Sequence, residues 1–577
     1  MDYRKMYERW IESPALDAES RNELLSLHDE KEIEDRFYMD LEFGTAGLRG
    51  VLGAGMNRMN EYVVKRATQG FAQYICSMGA KAAARGVAIA YDSRHKSDVF
   101  AKTAALVLCA NGINVYLYES LRSVPQLSFT ILQCNAAAGI VITASHNPPQ
   151  YNGYKVYGEN GGQLPIGPSE EVTALIGALD IFDERIRSMN EQEALASGLL
   201  HIIGEEFDKL FDACVRSVSI QPKVLAQADF KVVYTPLHGA GLEPVCRALN
   251  GIGFKNLLVV EEQKRQDGSF HTVKVPNPEE KEAYELAIRL AKKEGAYLVL
   301  ATDPDSDRLG VGVLDDALGF TLLSGNQIGC LLLEYILSQR AQKGALPQDA
   351  FAVKSIVSTR MANAIAARYG VQLDEVLTGF RFISDKIEES MRPPKRAFLF
   401  GFEESFGFLA GTYARDKDAV GAAVLMCEVA AYYAGQGMTL LDALGALYEQ
   451  YGYYKEAVLS YTLTGKEGIV AVQKGMAALR ENALEALGGV MVTGVCDYLA
   501  GTRVHDGMTY ALSLPQSDVM YYEMARDCWA AVRPSGTEPK LKAYVGICGE
   551  DEEDACDMLS AVKEELSKIL QGHLGIE

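Results

Sequence analysis

The chain has 577 residues, too many for a single hydrophobic core, so we expect several domains. Its content of 48% hydrophobic and 23% charged residues is typical of a globular protein. The 56 basic and 77 acidic residues give a net charge of −21. This charge argues against a nucleic-acid-binding or anionic-membrane surface, but it leaves a phosphorylated small-molecule substrate open.

The cysteines and the N-terminus predict a cytoplasmic protein. The 11 cysteines are scattered without a Cys-X-X-Cys pair, which favours reduced thiols. Residues 1–6 carry charges where a signal peptide needs an apolar segment, and no apolar run approaches the ~20 residues of a membrane span. We therefore predict no nucleic-acid or membrane partner, and we leave the oligomeric state open between monomer and dimer.

Apolar strands alternate with helical segments after a charged, helical N-terminal region. The predicted strands before Phe320 lie at 87–91, 113–118, 139–142, 231–234, 257–260 and 297–301. A third stretch predicts helices at 325–340 and 358–369 and a strand at 397–400. This alternation is typical of parallel or mixed sheets with helices on both faces.

The pattern changes near residue 450. A helix at 466–487, two strands at 528–532 and 541–547, and a helix at 552–570 predict a smaller α+β domain. We therefore predict an α/β fold of four domains around a central cleft. Their predicted boundaries are 1–205 with the N-terminal helical extension, 206–319, 320–449 and 450–577.

The loop after the strand at 139–142 carries a candidate nucleophile. Its sequence from residue 143 to 155 is TASHNPPQYNGYK, and the two prolines exclude a regular helix or central strand. Ser145 therefore follows a strand end, beside the imidazole of His146 and ten residues before Lys155. A surface turn is the simpler interpretation for a lone Ser-His pair, so the rest of the chain has to decide between the two.

Two further loops have the chemistry of an anion or metal site. The sequence FGTAGLRG at 43–50 combines three glycines, which permit close backbone approach, with the permanent charge of Arg49. Asp303, Asp305 and Asp307 follow an apolar strand, and three adjacent carboxylates suit a hard divalent cation such as Mg²⁺. A calcium EF-hand is excluded because Arg308 stands where that loop needs glycine.

Two further motifs, GFEES at 401–405 and RPSGT at 533–537, follow the serine loop and the Asp303–Arg308 loop along the chain. In this order the four motifs resemble those of the α-D-phosphohexomutases, the phosphoglucomutase and phosphomannomutase family, and the resemblance covers about residues 40–545. It implies that Ser145 carries a phosphoryl group and that the phosphoserine and the three aspartates hold Mg²⁺. His146, Lys155 and Arg49 are then the candidates for moving the proton.

The resemblance also implies where the sugar phosphate binds. Glu403 and Ser405 would recognise sugar hydroxyls, Arg381 would touch the ligand, and Arg308 would neutralise phosphate charge. The guanidinium, hydroxyls and glycine N–H groups of the last loop form a phosphate-binding site of known type. That predicted phosphate loop consists of Arg533, Ser535, Gly536 and Thr537.

The predicted function is a phosphosugar mutase that interconverts glucose 1-phosphate and glucose 6-phosphate, with glucose 1,6-bisphosphate as intermediate and activator. The absence of histidine in Phe406-Gly407-Phe408 favours glucose, whereas the TASH and TPLHG sequences at 143–146 and 235–239 resemble the branch that includes phosphopentomutases. Phosphopentomutase and phosphomannomutase activities therefore stay open. A metal-dependent phosphatase with Asp303 as nucleophile, or a non-catalytic sugar-phosphate sensor, fits less well, because a sensor needs no nucleophile.

Overall fold

The computed structural model describes residues 2–44, 47–315, 319–463, 465–535 and 540–576. The chain forms two compact units that alternate along the sequence. The first unit comprises Met1–Gly325, Ser384–Phe398 and Ser405–Tyr432. The second comprises Asn326–Ile383, Leu399–Glu404 and Tyr433–Glu577.

Up to residue 325 the chain alternates helices and short strands. The helices are α1 (Tyr3–Glu12), α2 (Ala18–Leu25), α3 (Glu30–Phe37), α4 (Glu61–Ser77), α5 (Ala80–Arg85), α6 (Ser97–Ala110), α7 (Val124–Gln133), α8 (Ile166–Gly177), α9 (Glu191–Ala196), α10 (Glu205–Ser217), α11 (Pro222–Ala226), α12 (Leu242–Ile252), α13 (Glu261–Lys264), a 3₁₀ turn (Lys281–Tyr284) and α14 (Glu285–Glu294). The strands are β1 (Leu48–Val51), β2 (Val87–Tyr91), β3 (Val115–Tyr118), β4 (Ala138–Ile142), β5 (Tyr151–Gly158), β6 (Leu200–Ile203), β7 (Val232–Thr235), β8 (Leu257–Val259), β9 (Leu298–Thr302), β10 (Leu309–Asp315) and β11 (Gly319–Leu322).

From residue 325 onward, long helices precede a strand-rich C-terminal region. The helices are α15 (Gly325–Gln342), α16 (Met361–Arg368), α17 (Phe380–Ser390), α18 (Ala419–Ala434), α19 (Leu440–Tyr451), α20 (Gly465–Glu481) and α21 (Glu552–Leu574). The strands are β12 (Ala350–Ser355), β13 (Gln372–Val376), β14 (Ala397–Glu403), β15 (Gly407–Ala410), β16 (Tyr453–Thr462), β17 (Ala486–Leu487), β18 (Val490–Asp497), β19 (Thr502–His505), β20 (Met508–Ala511), β21 (Met520–Met524), β22 (Trp529–Pro534) and β23 (Lys540–Gly549).

The first sheet has the order β1-β5-β4-β2-β3-β6 and is mixed. Strand β4 runs parallel to β2 and is fully buried, as its apolar sequence predicts, whereas β5 returns antiparallel to β4. The register places Lys155 opposite Val141, and Arg49 opposite Gly153 on the next strand. The residues between β4 and β5 therefore form a loop at one sheet edge, flanked by two basic side chains.

The second sheet has the order β11-β10-β9-β7-β8. Strand β9 is parallel to β7 and antiparallel to β10, so the chain reverses directly after β9. Residues 303–308 form this reversal, and Ser306 takes the left-handed conformation with φ of 55°. The aspartates consequently emerge at the carboxyl end of a buried parallel strand, the edge where open α/β sheets bind ligands.

The second unit contains β12, β13 and β14 and the C-terminal sheet. Strands β12 and β13 are parallel. The C-terminal sheet has the order β16-β23-β22-β21-β18-β19-β20, and α20 and α21 pack their apolar side chains on it. It therefore contains more strands than the two that the sequence predicts. The helix predicted at 466–487 ends at Glu481, and residues 486–487 pair with β18 instead.

The N-terminal helices pack against the core beneath the first sheet. Trp10 has no exposed surface and makes edge contacts with the rings of Phe37, Tyr62 and Phe182. Aromatic pairs of this kind add to the free energy gained by burial. The side chains of these helices therefore share one hydrophobic core with the first sheet.

Three α/β regions and a strand-rich C-terminal region confirm the predicted α/β fold class. Among the helices that the structure describes, none has both the length and the apolar composition needed to cross a membrane.

Candidate active site

Ser145 sits on a tightly defined turn after β4. The hydroxyl of Thr143 accepts a hydrogen bond from the Ser145 backbone N–H at 2.8 Å. Ser145 has φ of 51°, a left-handed conformation that residues with a side chain adopt at an energetic cost. The residue is 4% exposed. A strained and buried turn of this kind is typical of functional sites, where the surrounding structure imposes the conformation.

The three predicted metal ligands converge on this serine. The Ser145 hydroxyl donates to Asp303 Oδ2 at 2.7 Å, and one carboxylate oxygen from each of Asp303, Asp305 and Asp307 lies within 4.8 Å of the others. The backbone N–H groups of Asp307 and Arg308 donate to Asp303 Oδ1 at 3.1 and 3.0 Å. The reversal after β9 thus fixes one carboxylate by its own backbone and directs all three toward Ser145.

The carboxylate cluster fits a hard divalent cation. Oδ1 of Asp305 and Oδ1 of Asp307 are buried and have no hydrogen-bond partner within the described residues. A buried anionic oxygen without a partner is costly, and a bound cation removes that cost. The donor set consists only of carboxylate oxygens, which are the ligands that Mg²⁺ prefers.

Two lysines balance part of the carboxylate charge. Lys155 Nζ donates to Asp305 Oδ2 at 3.1 Å. Lys417 Nζ lies 3.0 Å from Asp307 Oδ2 and 2.9 Å from Asp416 Oδ1. All of these side chains are buried, so each ion pair acts in a medium of low dielectric constant.

The protein environment shifts the pKa values of the carboxylates in different directions. Burial raises the pKa of Asp303 well above its usual range, and the neighbouring charge of Asp305 raises it further. Burial also acts to raise the pKa of Asp305, but the ammonium of Lys155 and a hydrogen bond from Asp303 lower it overall. The cluster therefore keeps its charge most readily at Asp305.

His146 and Arg49 border the serine on its other side. His146 Nδ1 lies 3.3 Å from the Ser145 hydroxyl, and Arg49 Nη1 donates to Asn147 Oδ1 at 3.0 Å. Burial lowers the pKa of His146 well below its usual value, and the charges of Arg308 and Arg49 lower it further. The imidazole is therefore neutral near pH 7. The structure thus brings Ser145, His146, Lys155 and Arg49 into one site.

Arg308 is held beside the aspartates by an acidic partner. Its Nη1 pairs with the Glu279 carboxylate, and its Nε lies 3.9 Å from Asp307 Oδ1. Burial acts to lower the pKa of Arg308, but Glu279 and the aspartates raise it overall, so the guanidinium keeps its charge. A cation held in this way is suited to a phosphate group.

Strand β14 continues beyond its predicted end at residue 400, and Glu403 is its last residue. Its carboxylate is 5% exposed and accepts the Gly379 backbone N–H at 2.6 Å. Arg381 lies two residues after Gly379, and its guanidinium carbon is 4.8 Å from the centre of the Phe382 ring. The second unit therefore brings the predicted sugar-recognising glutamate and the predicted Arg381 loop together.

Arg533 lies on β22, where it is paired with Lys542 of β23. Burial raises the pKa of the neighbouring Tyr544 on β23 above its usual value, and the charge of Glu404 raises it further. The Ser535 N–H donates to Lys540 O at 2.7 Å. Gly536 and Thr537 lie outside the described residues.

Ser405 belongs to the first unit, where the following residues join the aspartate loop. The Leu309 N–H donates to Phe406 O at 3.0 Å, and the Ala419 N–H donates to Ser306 O at 3.2 Å. The segment from Ser405 to Ala419 is thus hydrogen-bonded to the reversal after β9, which explains why Lys417 reaches Asp307.

Sequence reasoning missed Lys417 and Glu279. Lys417 lies in a run of four charged residues, 415–418, which is normally interpreted as a solvated turn. The alternation of opposite charges in this run, directly before the apolar helix α18, is the signal that could have indicated a buried ion-pair network. Glu279 carries no comparable local signal, because its partner Arg308 lies 29 residues away.

Comparison with known proteins relates most of the chain to one family. Models of the phosphoglucomutase/phosphomannomutase α/β/α domains I, II and III match residues 40–180, 208–316 and 324–451. A phosphoglucomutase of Staphylococcus haemolyticus is 37% identical over 517 residues, which span 89% of this chain and 91% of that protein.

Solved structures share the fold at low sequence identity. The Paramecium pp63/parafusin phosphoglucomutase in its open form has a TM-score of 0.68 at 15% identity, covering 93% of this chain and 95% of that one. A phosphoglucomutase/phosphomannomutase family protein of Burkholderia thailandensis has a TM-score of 0.63 at 18% identity, covering 92% and 97% of the two chains. At these identities the likeness concerns the fold alone.

Proposed function

The chain belongs to the α-D-phosphohexomutase family and is an isomerase of its phosphoglucomutase branch, and we propose that it interconverts glucose 1-phosphate and glucose 6-phosphate through a phosphoserine at Ser145. The observation that carries this proposal is the 2.7 Å hydrogen bond from the Ser145 hydroxyl to Asp303, inside a buried carboxylate cluster. A serine without a covalent role has no need of such surroundings.

The proposed reaction has two phosphoryl transfers. In the first, the bond between Ser145 Oγ and phosphorus breaks while the free sugar hydroxyl forms a bond to phosphorus and gives up its proton. The product is glucose 1,6-bisphosphate, which then reorients in the site. In the second transfer, Ser145 Oγ takes the other phosphoryl group, and the sugar oxygen left behind regains a proton.

Side chains of the protein position the reacting groups and neutralise the charge of the phosphoryl group. The proton passes to and from one of Lys155, His146 and Arg49, the basic groups assembled around the serine. Asp303, Asp305 and Asp307 would hold Mg²⁺ together with a phosphoserine oxygen. When bound, this ion draws charge from the transferring phosphoryl group.

The ligand-binding roles follow the four domains that we propose at 1–205, 206–319, 320–449 and 450–577. Arg308 would neutralise phosphate charge, while Glu403, Ser405 and Arg381 would bind the sugar. The phosphate that is not transferred would bind to the loop formed by Arg533, Ser535, Gly536 and Thr537.

The deciding experiment is incubation of the protein with glucose 1-phosphate, Mg²⁺ and a trace of glucose 1,6-bisphosphate. We expect glucose 6-phosphate to form without stoichiometric free phosphate. Release of phosphate in place of the isomer would support a phosphatase with Asp303 as nucleophile. If neither glucose 6-phosphate nor free phosphate formed, the result would support a non-catalytic sensor.

Substrate choice is a separate prediction. Glu403 recognises hydroxyls in this proposal, and a wrong epimer leaves a buried polar group unpaired at a cost of about 1–3 kcal/mol. We therefore expect kcat/KM for glucose 1-phosphate to exceed that for mannose 1-phosphate by about tenfold to a hundredfold. Glu403→Gln should reduce this ratio. A higher kcat/KM for ribose 1-phosphate under the same conditions would make the protein a phosphopentomutase instead.

Arg533→Ala should weaken both binding and turnover. Its guanidinium would hold the phosphate that is not transferred, and this binding energy positions the reacting end of the sugar. We expect KM to rise and kcat to fall, with kcat/KM reduced by on the order of tenfold to a hundredfold. Arg503→Ala is the matched control, because Arg503 pairs with Glu523 elsewhere on the same sheet. Equal effects of the two substitutions would contradict a specific phosphate role for Arg533.

A further inference from the structure

Arg94 is a buried arginine in the loop between β2 and α6, and its side chain has no exposed surface. Its guanidinium donates hydrogen bonds to backbone carbonyls of the serine loop. The accepting oxygens are Ser145 O at 2.6 Å, Asn147 O, Pro148 O at 2.9 Å and Tyr151 O at 3.1 Å.

The serine loop depends on such a donor for its shape. Its two consecutive prolines supply no N–H groups, so the loop cannot satisfy its own carbonyls with a regular backbone pattern. Ser145 at the same time holds its left-handed conformation with φ of 51°. A rigid fork that binds carbonyls from both ends of the loop opposes relaxation of this conformation.

Asp92 fixes the orientation of the fork. Its Oδ1 accepts hydrogen bonds from the Arg94 backbone N–H at 2.9 Å and from the Ser97 hydroxyl at 2.8 Å, and its Oδ2 lies 3.3 Å from Nε of the Arg94 guanidinium. The Asp92 N–H in turn donates to Ile142 O at the end of β4, at 3.0 Å. The arginine is therefore anchored to the strand from which the serine loop emerges.

An aromatic ring from the aspartate-bearing region covers the other side of the guanidinium. The centre of the Phe270 ring lies 4.9 Å from the guanidinium carbon, and Phe270 has no exposed surface. The segment that carries Phe270 approaches the Arg94 loop closely at Gly268, where an added Cβ would lie 2.3 Å from the His95 backbone nitrogen. The ring excludes water from the fork, which strengthens its hydrogen bonds.

We infer that Arg94 is a positioning residue for phosphoryl transfer, which holds Ser145 in the left-handed conformation that directs its hydroxyl to Asp303. This inference rests on the proposed function, because it requires Ser145 to carry the phosphoryl group. Arg94 acts only through the loop, so its loss lowers the rate of transfer and leaves the affinity for the sugar phosphate nearly unchanged.

The test compares Arg94→Lys and Arg94→Ala with Arg85→Ala. Arg85 is a matched control, since it donates to the backbone carbonyls of Asn135 and Ala136, outside the serine loop. We expect Arg94→Lys to lower kcat, and the rate at which glucose 1,6-bisphosphate phosphorylates Ser145, by about a hundredfold, as a small misplacement of a reacting group does. KM for glucose 1-phosphate should stay within about threefold of wild type, as expected when ground-state binding is intact.

Two readouts separate positioning from general destabilisation. Backbone hydrogen exchange in residues 143–152 should accelerate in both Arg94 variants while exchange in β2 and β4 stays unchanged. A low, non-denaturing concentration of guanidinium ion should raise kcat of Arg94→Ala but not of wild type or Arg85→Ala. If Arg94→Ala does not fold, Arg94→Lys and Phe270→Leu carry the same comparison, and Phe270→Leu should show a smaller loss of kcat in the same direction.

The outcomes distinguish this inference from the proposed function. An active wild type with an Arg94→Lys variant of unchanged kcat, or with unchanged exchange in the serine loop, would overturn the positioning role alone. A rise in KM equal to the loss of kcat/KM would do the same. A wild-type protein that never carries phosphate on Ser145 would overturn the proposed function and the role of Arg94 with it.

Discussion

Ser145→Ala is expected to lower kcat/KM for glucose 1-phosphate by on the order of 10⁴ to 10⁶, the range in which enzymes lose activity when a covalent nucleophile is removed. The alanine has no oxygen to carry the phosphoryl group, and water is excluded from this buried turn. Intact mass and peptide mapping of the wild type, after incubation with glucose 1,6-bisphosphate, should place one phosphate on Ser145. The variant should carry none.

The control for this experiment is Ser188→Ala, which removes the hydroxyl of an exposed serine in the same domain. It should retain both activity and phosphorylation. Thermal unfolding of the two variants shows whether the loss at Ser145 is chemical or structural. A Ser145→Ala protein with wild-type turnover, or a phosphate mapped to another residue, would exclude the phosphoserine mechanism.

Metal removal should have the second largest effect. Excess chelator should abolish turnover and added Mg²⁺ should restore it, because Oδ1 of Asp305 and Oδ1 of Asp307 are buried without a hydrogen-bond partner among the residues that the structure describes. Asp305→Asn should weaken Mg²⁺ binding and lower kcat/KM by on the order of a hundredfold or more, since it removes a ligand charge from the side chain that also pairs with Lys155. Binding of Mn²⁺, followed by calorimetry, reports on the site without the reaction.

Asp229→Asn is the matched control, because Asp229 is an exposed aspartate of the second domain. It should bind metal and turn over like the wild type. Full activity in excess chelator would contradict the metal role. Normal metal binding by Asp305→Asn would assign the ion to other ligands.

The parts of the fold that the sequence predicted well are the buried parallel strands. The strand at 87–91 was predicted with its observed ends, because a fully apolar run stands between Gly86 and Asp92. The C-terminal sheet was mostly missed. Strands such as β19 and β20 are short and largely exposed, and their pairing depends on the left-handed turn at Asp506 and Gly507. Half-exposed strands of this kind have no apolar periodicity to reveal them.

The candidate site divides in the same way. The sequence predicts the serine and the aspartates as site residues because each follows an apolar strand in a distinctive local sequence, and it predicts Glu403 because a distinctive sequence stands at the end of β14. Lys417 and Arg94 were not found, because their roles depend on contacts with distant segments. Lys417 pairs with Asp307, 110 positions earlier in the sequence, and the alternating charges at 415–418 do not indicate which distant residue is the partner.

The alternation of the two units along the chain determines when the molecule can fold during its synthesis. The first unit includes Ser405–Tyr432, so its last strand and Lys417 leave the ribosome long after Asp307. A nascent chain that ends near residue 325 holds the aspartate cluster and Lys155, but it lacks Lys417, whose ammonium group pairs with Asp307. Domains generally fold as units from the N-terminus during translation. Here the first unit is completed only after its last segment, Ser405–Tyr432, has been made, so a fragment that ends near residue 325 lacks part of this unit.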